Sequence, residues 1–236
     1  MVRDLIRSAK EHLAKAGYSE VDAEILFAHL LGINRMELHN PIALENAMEN
    51  VGDIAEDFHQ LLNRRLSHEP LQYITGEAHF RDLTLEVGPG VLVPRPESEL
   101  MVSYLLALIE QKEGLISVID LGAGSGALSI ALSTECDRVR AIAVEKSTEA
   151  LIWLRKNVAK YVEEMRVVEG DVKDVLLRIQ RASIGALLEV GTVATVLGGN
   201  HLSGLGIGTY LAGKVEEFQC RLQIERGRIE RVLVRR

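Results

Sequence analysis

Cysteine is scarce in this 236-residue chain. It has two, Cys136 and Cys220, too few for a disulfide scaffold or a four-cysteine zinc site, and they read as reduced thiols. Proline is equally sparse: all five prolines (Pro41, Pro70, Pro89, Pro94, Pro96) precede residue 100. Aromatic residues make up 4% of the chain, with Trp153 the single tryptophan. No run of about 20 clean apolar residues exists, so no membrane span is expected. The start, MVRDLIRSAKEHLAKAG, is broken by charges too often for a secretory apolar core, and a cytoplasmic location is expected. The seven histidines (12, 29, 39, 59, 68, 79 and 201) show no HExxH spacing, and without a Cys or carboxylate cluster they suggest no metal site. There is no G-x-S-x-G, which removes a hydrolase nucleophile elbow.

The formal charge is −7, which argues against binding nucleic acid by bulk charge. Its distribution is uneven. Residues 221–236 hold six arginines against Glu225 and Glu230, a local +4, so the rest of the chain carries −11. A solvated terminal hairpin whose arginines discourage strand pairing is the simpler reading of this tail than a nucleic-acid arm.

At 47% hydrophobic and 26% charged, the composition suits a globular protein. The first seventy residues read as a helical bundle. Leu5, Ile6, Ala9 and Leu13 recur at helical spacing and Gly17 follows as a stop. Ser19 with Asp22 predicts a capping box for a second helix carrying Ala23, Leu26, Phe27 and Leu30 and ending at Gly32. A further stripe runs from Val51 through Ile54, Ala55, Phe58, Leu61 and Leu62 to a stop before Pro70.

The pattern then changes. HFRDLTLEV alternates Phe80, Leu83, Leu85 and Val87 with polar residues. The GPG at 88–90 and the VLV at 91–93 then predict a hairpin turning at the glycines. Pro96 suits the first turn of a helix, favoured by Glu97 and Glu99 at its positive end. From residue 115, short apolar runs (ISVID, VRAIAVE, MRVVEGD) alternate with helical stretches, one of them capped by Ser147. Such alternation predicts right-handed crossovers and a parallel sheet. Beyond about residue 180, glycines and small apolar residues weaken every assignment, although FQCRLQI and RIERVLV resemble a terminal hairpin.

The residues with the clearest chemistry are VIDLGAGSGALSIAL at 118–132. Gly122, Gly124 and Gly126 lie between a buried strand and a helix, with Ala123 and Ser125 between them. Glycines let the backbone turn sharply and let a ligand approach it, and the helix start beyond offers amide donors. Glu145 ends the next strand, where an acid can accept hydrogen bonds from the hydroxyls of an adenosine ribose. The string also satisfies G-x-G-x-x-A, which leaves a nicotinamide-dependent oxidoreductase as an alternative. The acid Asp120 two residues before the first glycine, and the missing second mononucleotide half, count against it. The form D-x-G-x-G-x-G resembles the first motif of S-adenosylmethionine-dependent methyltransferases.

The preceding segment, EPLQYITGEAHFRDLTLEVGPGVLVPRPESELMV at 69–102, resembles the release factor glutamine methyltransferases of the HemK/PrmC type. That family's pattern is met by Pro70, Tyr73, Gly76, Phe80 and the string Leu92-Val93-Pro94-Arg95-Pro96-Glu97-Ser98-Glu99. The resemblance extends over about residues 1–172. It implies a helical substrate-binding domain at 1–72, a β-hairpin linker at 73–95 and a doubly wound Rossmann-like methyltransferase domain at 96–236. It implies S-adenosyl-L-methionine as cofactor, held by Gly122, Ala123, Gly124, Ser125, Gly126 and Glu145, with an adenine-side contact at Asp171 and Val172. It further implies a peptide chain release factor as partner, met near Arg95 and Glu97, and methylation of the glutamine amide in its Gly-Gly-Gln motif. A monomer without direct nucleic-acid contact is expected.

One part of the family pattern is missing. In the family, an Asn-Pro-Pro-Tyr loop after the fourth strand positions the amide, and this sequence contains none. Residues 181–236 do not match the family, so the methyltransferase domain is expected to be incomplete or altered and no catalytic residue is assigned. A catalytically impaired chain that binds cofactor or release factor is therefore an alternative.

Overall fold

The structure is a computed structural model that describes residues 2–49, 53–171 and the backbone of 193–197. It divides into two compact units at Glu77/Ala78.

The first unit is helical. Its elements are α1 (Val2–Lys15), α2 (Val21–Leu31), the 3-10 turn Arg35–His39, α3 (Pro41–Met48), α4 (Ile54–Leu66) and the short α5 (Leu71–Thr75). Leu13, Leu26, Phe27 and Phe58 are fully buried and form the centre of its core. The Phe27 and Phe58 rings meet edge to face with centroids 5.0 Å apart, the arrangement favoured by ring quadrupoles. The capping box expected at Ser19 and Asp22 does not form. The Ser19 hydroxyl accepts from the Val21 amide at 3.3 Å, and Asp22 is drawn 43 residues along the chain to Arg65, at 2.8 Å. A capping box forms at Asn34 instead, with Glu37 accepting from the Asn34 amide at 2.8 Å.

The second unit opens with a two-stranded sheet, β1 (Glu77–Phe80) and β2 (Leu83–Glu86). Its turn is Arg81-Asp82, with Arg81 at φ 52°, not the glycines expected from sequence. Residues 91–93 are not a strand. The GPG segment is pressed against a helix, so its backbone is not available to a ladder: a Cβ on Gly88 would sit 2.3 Å from the Trp153 ring. The Trp153 indole N–H donates to the Pro89 carbonyl at 3.1 Å. Arg81 fixes the turn. Its amide donates to Glu99 at 3.0 Å, and its guanidinium donates to the Ser103 hydroxyl at 2.8 Å and to the Glu135 carboxylate.

The rest of the unit alternates helix and strand: α6 (Glu97–Glu110), β3 (Ile116–Leu121), α7 (Ala127–Glu135), β4 (Val139–Glu145), α8 (Thr148–Tyr161), β5 (Arg166–Glu169) and β6 (Val193–Leu197). The sheet order is β5-β4-β3-β6, parallel throughout. The chain moves from β3 outward to β4 and β5, then returns to the other side of β3. This reversal creates a switch point beside β3, where ligands of open α/β sheets collect. Hairpin residues Phe80, Leu83 and Leu85 join Val118, Ile130, Leu132, Leu151 and Leu154 in one buried core. Ser147 caps α8 as its spacing predicts, accepting from Ala150 at 3.2 Å. The expected terminal hairpin and arginine tail lie outside the described residues.

Candidate functional site

The loop 122–126 follows β3 at the switch point. Its shape follows from hydrogen bonds to the neighbouring strand. The amides of Gly122 and Ala123 both donate to the Val144 carbonyl, at 2.8 and 3.0 Å. The Gly126 amide donates back to the Ala123 carbonyl at 2.8 Å. Gly126 has φ +84°, and a Cβ there would lie 2.7 Å from Leu154 and 2.9 Å from Ile130. Glycine at this position therefore lets the loop reach helix packing distance. Gly124, at φ +57°, faces space: a Cβ would have the Val91 methyl at 3.8 Å as its nearest neighbour.

Glu145 comes from the end of β4, beside the loop. Its Oε2 accepts from the Gly124 amide at 2.9 Å, and its Oε1 accepts from the amides of Lys146 and Ser147 at 2.8 Å each. A carboxylate has about four acceptor positions. These three bonds leave one, on Oε2, for a ligand hydroxyl. The two-hydroxyl grip expected from sequence therefore requires Oε2 to share with, or release, the Gly124 amide.

Asp120 lies one residue before the end of β3, within its buried run. It is 1% exposed, and its carboxylate makes no hydrogen bond of good geometry among the described residues, although Ser129 lies close enough to interact with it. Burial pushes its carboxyl up to about 6, with the Glu145 charge adding to the effect and Ser129 offsetting part of it. Burial of this kind favours the protonated carboxyl over the carboxylate.

The remaining sequence candidates are dispersed. Asp171 pairs with the Lys146 ammonium at 2.9 Å, beyond β5. Val172 lies outside the described residues. Arg95 and Glu97 are exposed at the start of α6, and the ion pairs found among the described residues of this unit do not include them. Cys136 is a free, half-buried thiol, and Cys220 lies outside the described residues. Among the described residues, no helix is long and apolar enough to cross a membrane, and no group of three or more His, Cys, Asp or Glu could hold a metal ion. The first unit contains a cleft of about 900 Å³ lined by Ile6, Lys10, Glu24, His39, Leu44 and Met48, among others. It holds none of the candidate site residues read from the sequence. There Lys10 and Arg35 neutralise Glu24, at 2.5 and 3.0 Å.

Sequence reasoning missed Asn157. This side chain is fully buried on α8 and bonds the loop at Ser125. Its one signal was an amide residue between Leu154 and Val158 on the apolar stripe of the helix.

Strand order, switch point and the glycine loop after β3 define an α/β domain of the Rossmann-like class. Residues 97–181 match the family described as methyltransferase small domain, and residues 4–76 match the PrmC N-terminal domain. The chain is 41% identical over 170 residues to the release factor glutamine methyltransferase of Streptomyces coelicolor, covering 70% of this chain and 57% of that protein. Against the protein of that name in Bifidobacterium longum, identity is 38% over 68% of this chain and 55% of that protein. For Mycolicibacterium smegmatis it is 36% over 77% of this chain and 62% of that protein. Over the matched residues the chain is similar to the release factor glutamine methyltransferases, and it spans 55% to 62% of the length of these three. Among solved structures, the N-terminal domain of human METTL16 in complex with SAH superposes with TM-score 0.41 and 16% identity, over 59% of this chain and 56% of that chain.

Proposed function

We propose that the loop 122–126 and Glu145 hold the adenosine part of S-adenosyl-L-methionine, and that the substrate is the glutamine amide of the Gly-Gly-Gln motif of a peptide chain release factor. The observation that carries the cofactor reading is the Glu145 carboxylate, locked by three backbone amides with one acceptor position left beside the loop. The open side of Gly124 leaves room for a nucleoside to approach the main chain.

When bound, S-adenosyl-L-methionine supplies a methyl group made electrophilic by its sulfonium. Glu145 fixes the position of the nucleoside by accepting from a ribose hydroxyl. Gly126 holds the loop against α8 so that this position is set before binding. An amide nitrogen is a poor nucleophile, because its lone pair is delocalised into the carbonyl. Transfer therefore rests on positioning and on acceptors for its N–H protons. In this reading Arg95 and Glu97 meet the release factor, and the chain works as a monomer without nucleic acid.

A second reading has its own observation. No Asn-Pro-Pro-Tyr stands anywhere in the sequence, so the acceptors that the family uses for the amide are missing. In that reading the chain binds cofactor or release factor without methylating it. Two measurements separate the possibilities. Calorimetry with S-adenosylhomocysteine and with NAD should show binding of the first alone. NAD binding would instead support the oxidoreductase alternative. Methyl transfer from labelled cofactor to release factor would establish the first reading, and its absence from a cofactor-binding chain would establish the second.

A further inference from the structure

We propose that Asn157 is a positioning residue for the glycine loop: one buried side-chain amide locks the Ser125–Gly126 peptide and ties it to strand β2. The link to ligand binding rests on the cofactor reading above; the lock itself does not.

The Asn157 Oδ1 accepts from the Glu86 amide at 2.7 Å, and its Nδ2 donates to the Glu86 carbonyl at 2.9 Å and to the Ser125 carbonyl at 3.0 Å. The side chain is fully buried, and both its N–H donors are used. With Glu86 it exchanges a donor and an acceptor, as a directly paired residue does in an antiparallel ladder. The amide thus stands in for a third strand beside the two-stranded sheet. Its second N–H reaches the loop.

That contact has a conformational consequence. Ser125 lies between two glycines at positive φ, Gly124 and Gly126. Glycine crosses between regions of backbone space with little steric barrier, so rotation of the peptide planes is the loop's easiest motion. Rotating the Ser125–Gly126 plane would break two bonds at once: Asn157 to the Ser125 carbonyl, and the Gly126 amide to the Ala123 carbonyl at 2.8 Å. The stranded carbonyl would be buried, at the cost of an unmet polar group. Asn157 therefore selects one loop conformation, the one in which the Gly124 amide reaches Glu145.

The same helix face grips the hairpin through other residues. The Tyr161 hydroxyl accepts from the Thr84 amide at 2.9 Å and donates to the Thr84 carbonyl at 2.8 Å. Lys160 donates to the same carbonyl at 2.9 Å. The Tyr161 hydroxyl bonds β2 at Thr84 and not the loop, which makes it the proper control.

The test compares Asn157→Leu with Tyr161→Phe in the full chain. Two quantities are read: amide hydrogen exchange at 122–127 without ligand, and S-adenosylhomocysteine affinity by calorimetry. We expect Asn157→Leu to speed exchange of the Gly126 amide at least tenfold and to weaken binding at least tenfold. Tyr161→Phe should change neither, even where its loss of thermal stability is similar. Parent-like exchange at Gly126 in Asn157→Leu, or equal acceleration in Tyr161→Phe, overturns the lock. Should Asn157→Leu not fold, Asn157→Ser is read in the same way. If the parent chain fails to bind S-adenosylhomocysteine, the cofactor reading falls, and Gly126 exchange still decides the lock.

Discussion

The Glu145 carboxylate accepts from the Gly124 amide at 2.9 Å, which joins the end of β4 to the loop after β3. Its other oxygen holds the first two amides beyond the strand, at Lys146 and Ser147. Replacing it by alanine removes both the ligand acceptor and the brace. Hydrogen bonds to charged groups contribute about 1.5–3 kcal/mol each, so Glu145→Ala is expected to weaken S-adenosylhomocysteine binding by roughly ten- to a hundredfold. Titration calorimetry checks this, and unchanged affinity would remove Glu145 from the site.

The two outer glycines of the GSG triplet should respond differently to alanine. At Gly126 the added methyl meets Leu154 at 2.7 Å and Ile130 at 2.9 Å, with φ +84° against it. Overpacking and backbone strain together cost about 2–4 kcal/mol, read from the shift of a denaturation midpoint. At Gly124 the space is open and strain alone acts, about 1–2 kcal/mol. Gly124→Ala should therefore stay folded while its methyl enters the face open to ligand, and its main loss should be in affinity.

Asp120 gives the second unit an unusual pH response. Its carboxyl is pushed up to about 6 by burial, above its value in an unfolded chain. Between about pH 4 and pH 6 the folded state holds the proton and the unfolded state has released it, so stability falls as pH rises through this window. The loss is on the order of 3 kcal/mol and complete above about pH 6. Asp120→Asn should flatten the profile. Urea midpoints of the parent and of Asp120→Asn from pH 4 to pH 8 decide the matter: the parent's advantage over the variant should shrink through the window, and a constant difference would contradict it, while the lowered carboxyls of Glu24 and Glu69 act equally on both.

In the first unit, Arg65 should matter well beyond its surface area. It donates to Asp22 at 2.8 Å and to the Glu69 carbonyl at 3.0 Å, and it covers the Tyr18 ring at 4.0 Å. Removing it leaves Asp22 buried without its partner, a loss of about 3–5 kcal/mol. Arg65→Ala should lower the unfolding midpoint sharply, and the double change with Asp22→Ala should recover part of that loss.

Signals carried by adjacent residues were legible in the sequence, and signals carried by contact were not. The placement of the glycine loop between β3 and α7, and of Glu145 at the end of β4, was readable because each follows from a strand pattern and the residue that ends it. Ser19 and Asp22 misled, since the spacing of a capping box says nothing about an arginine 43 residues away. The hairpin turn was misplaced because GPG is the stronger local turn signal. Arg81 at positive φ is held by Glu99, Ser103 and Glu135, partners that no short window contains. Asn157 was hidden for the same reason: its three bonds run to Glu86 and Ser125, 71 and 32 residues away.

On the cofactor reading, the cradle around Gly124 is assembled from the chain's own amides. Little reshaping then accompanies docking, so ordering costs on the protein side are small. Differences in grip among nucleoside analogues should consequently report which functional group each analogue lacks, rather than how far the polypeptide must bend to receive it.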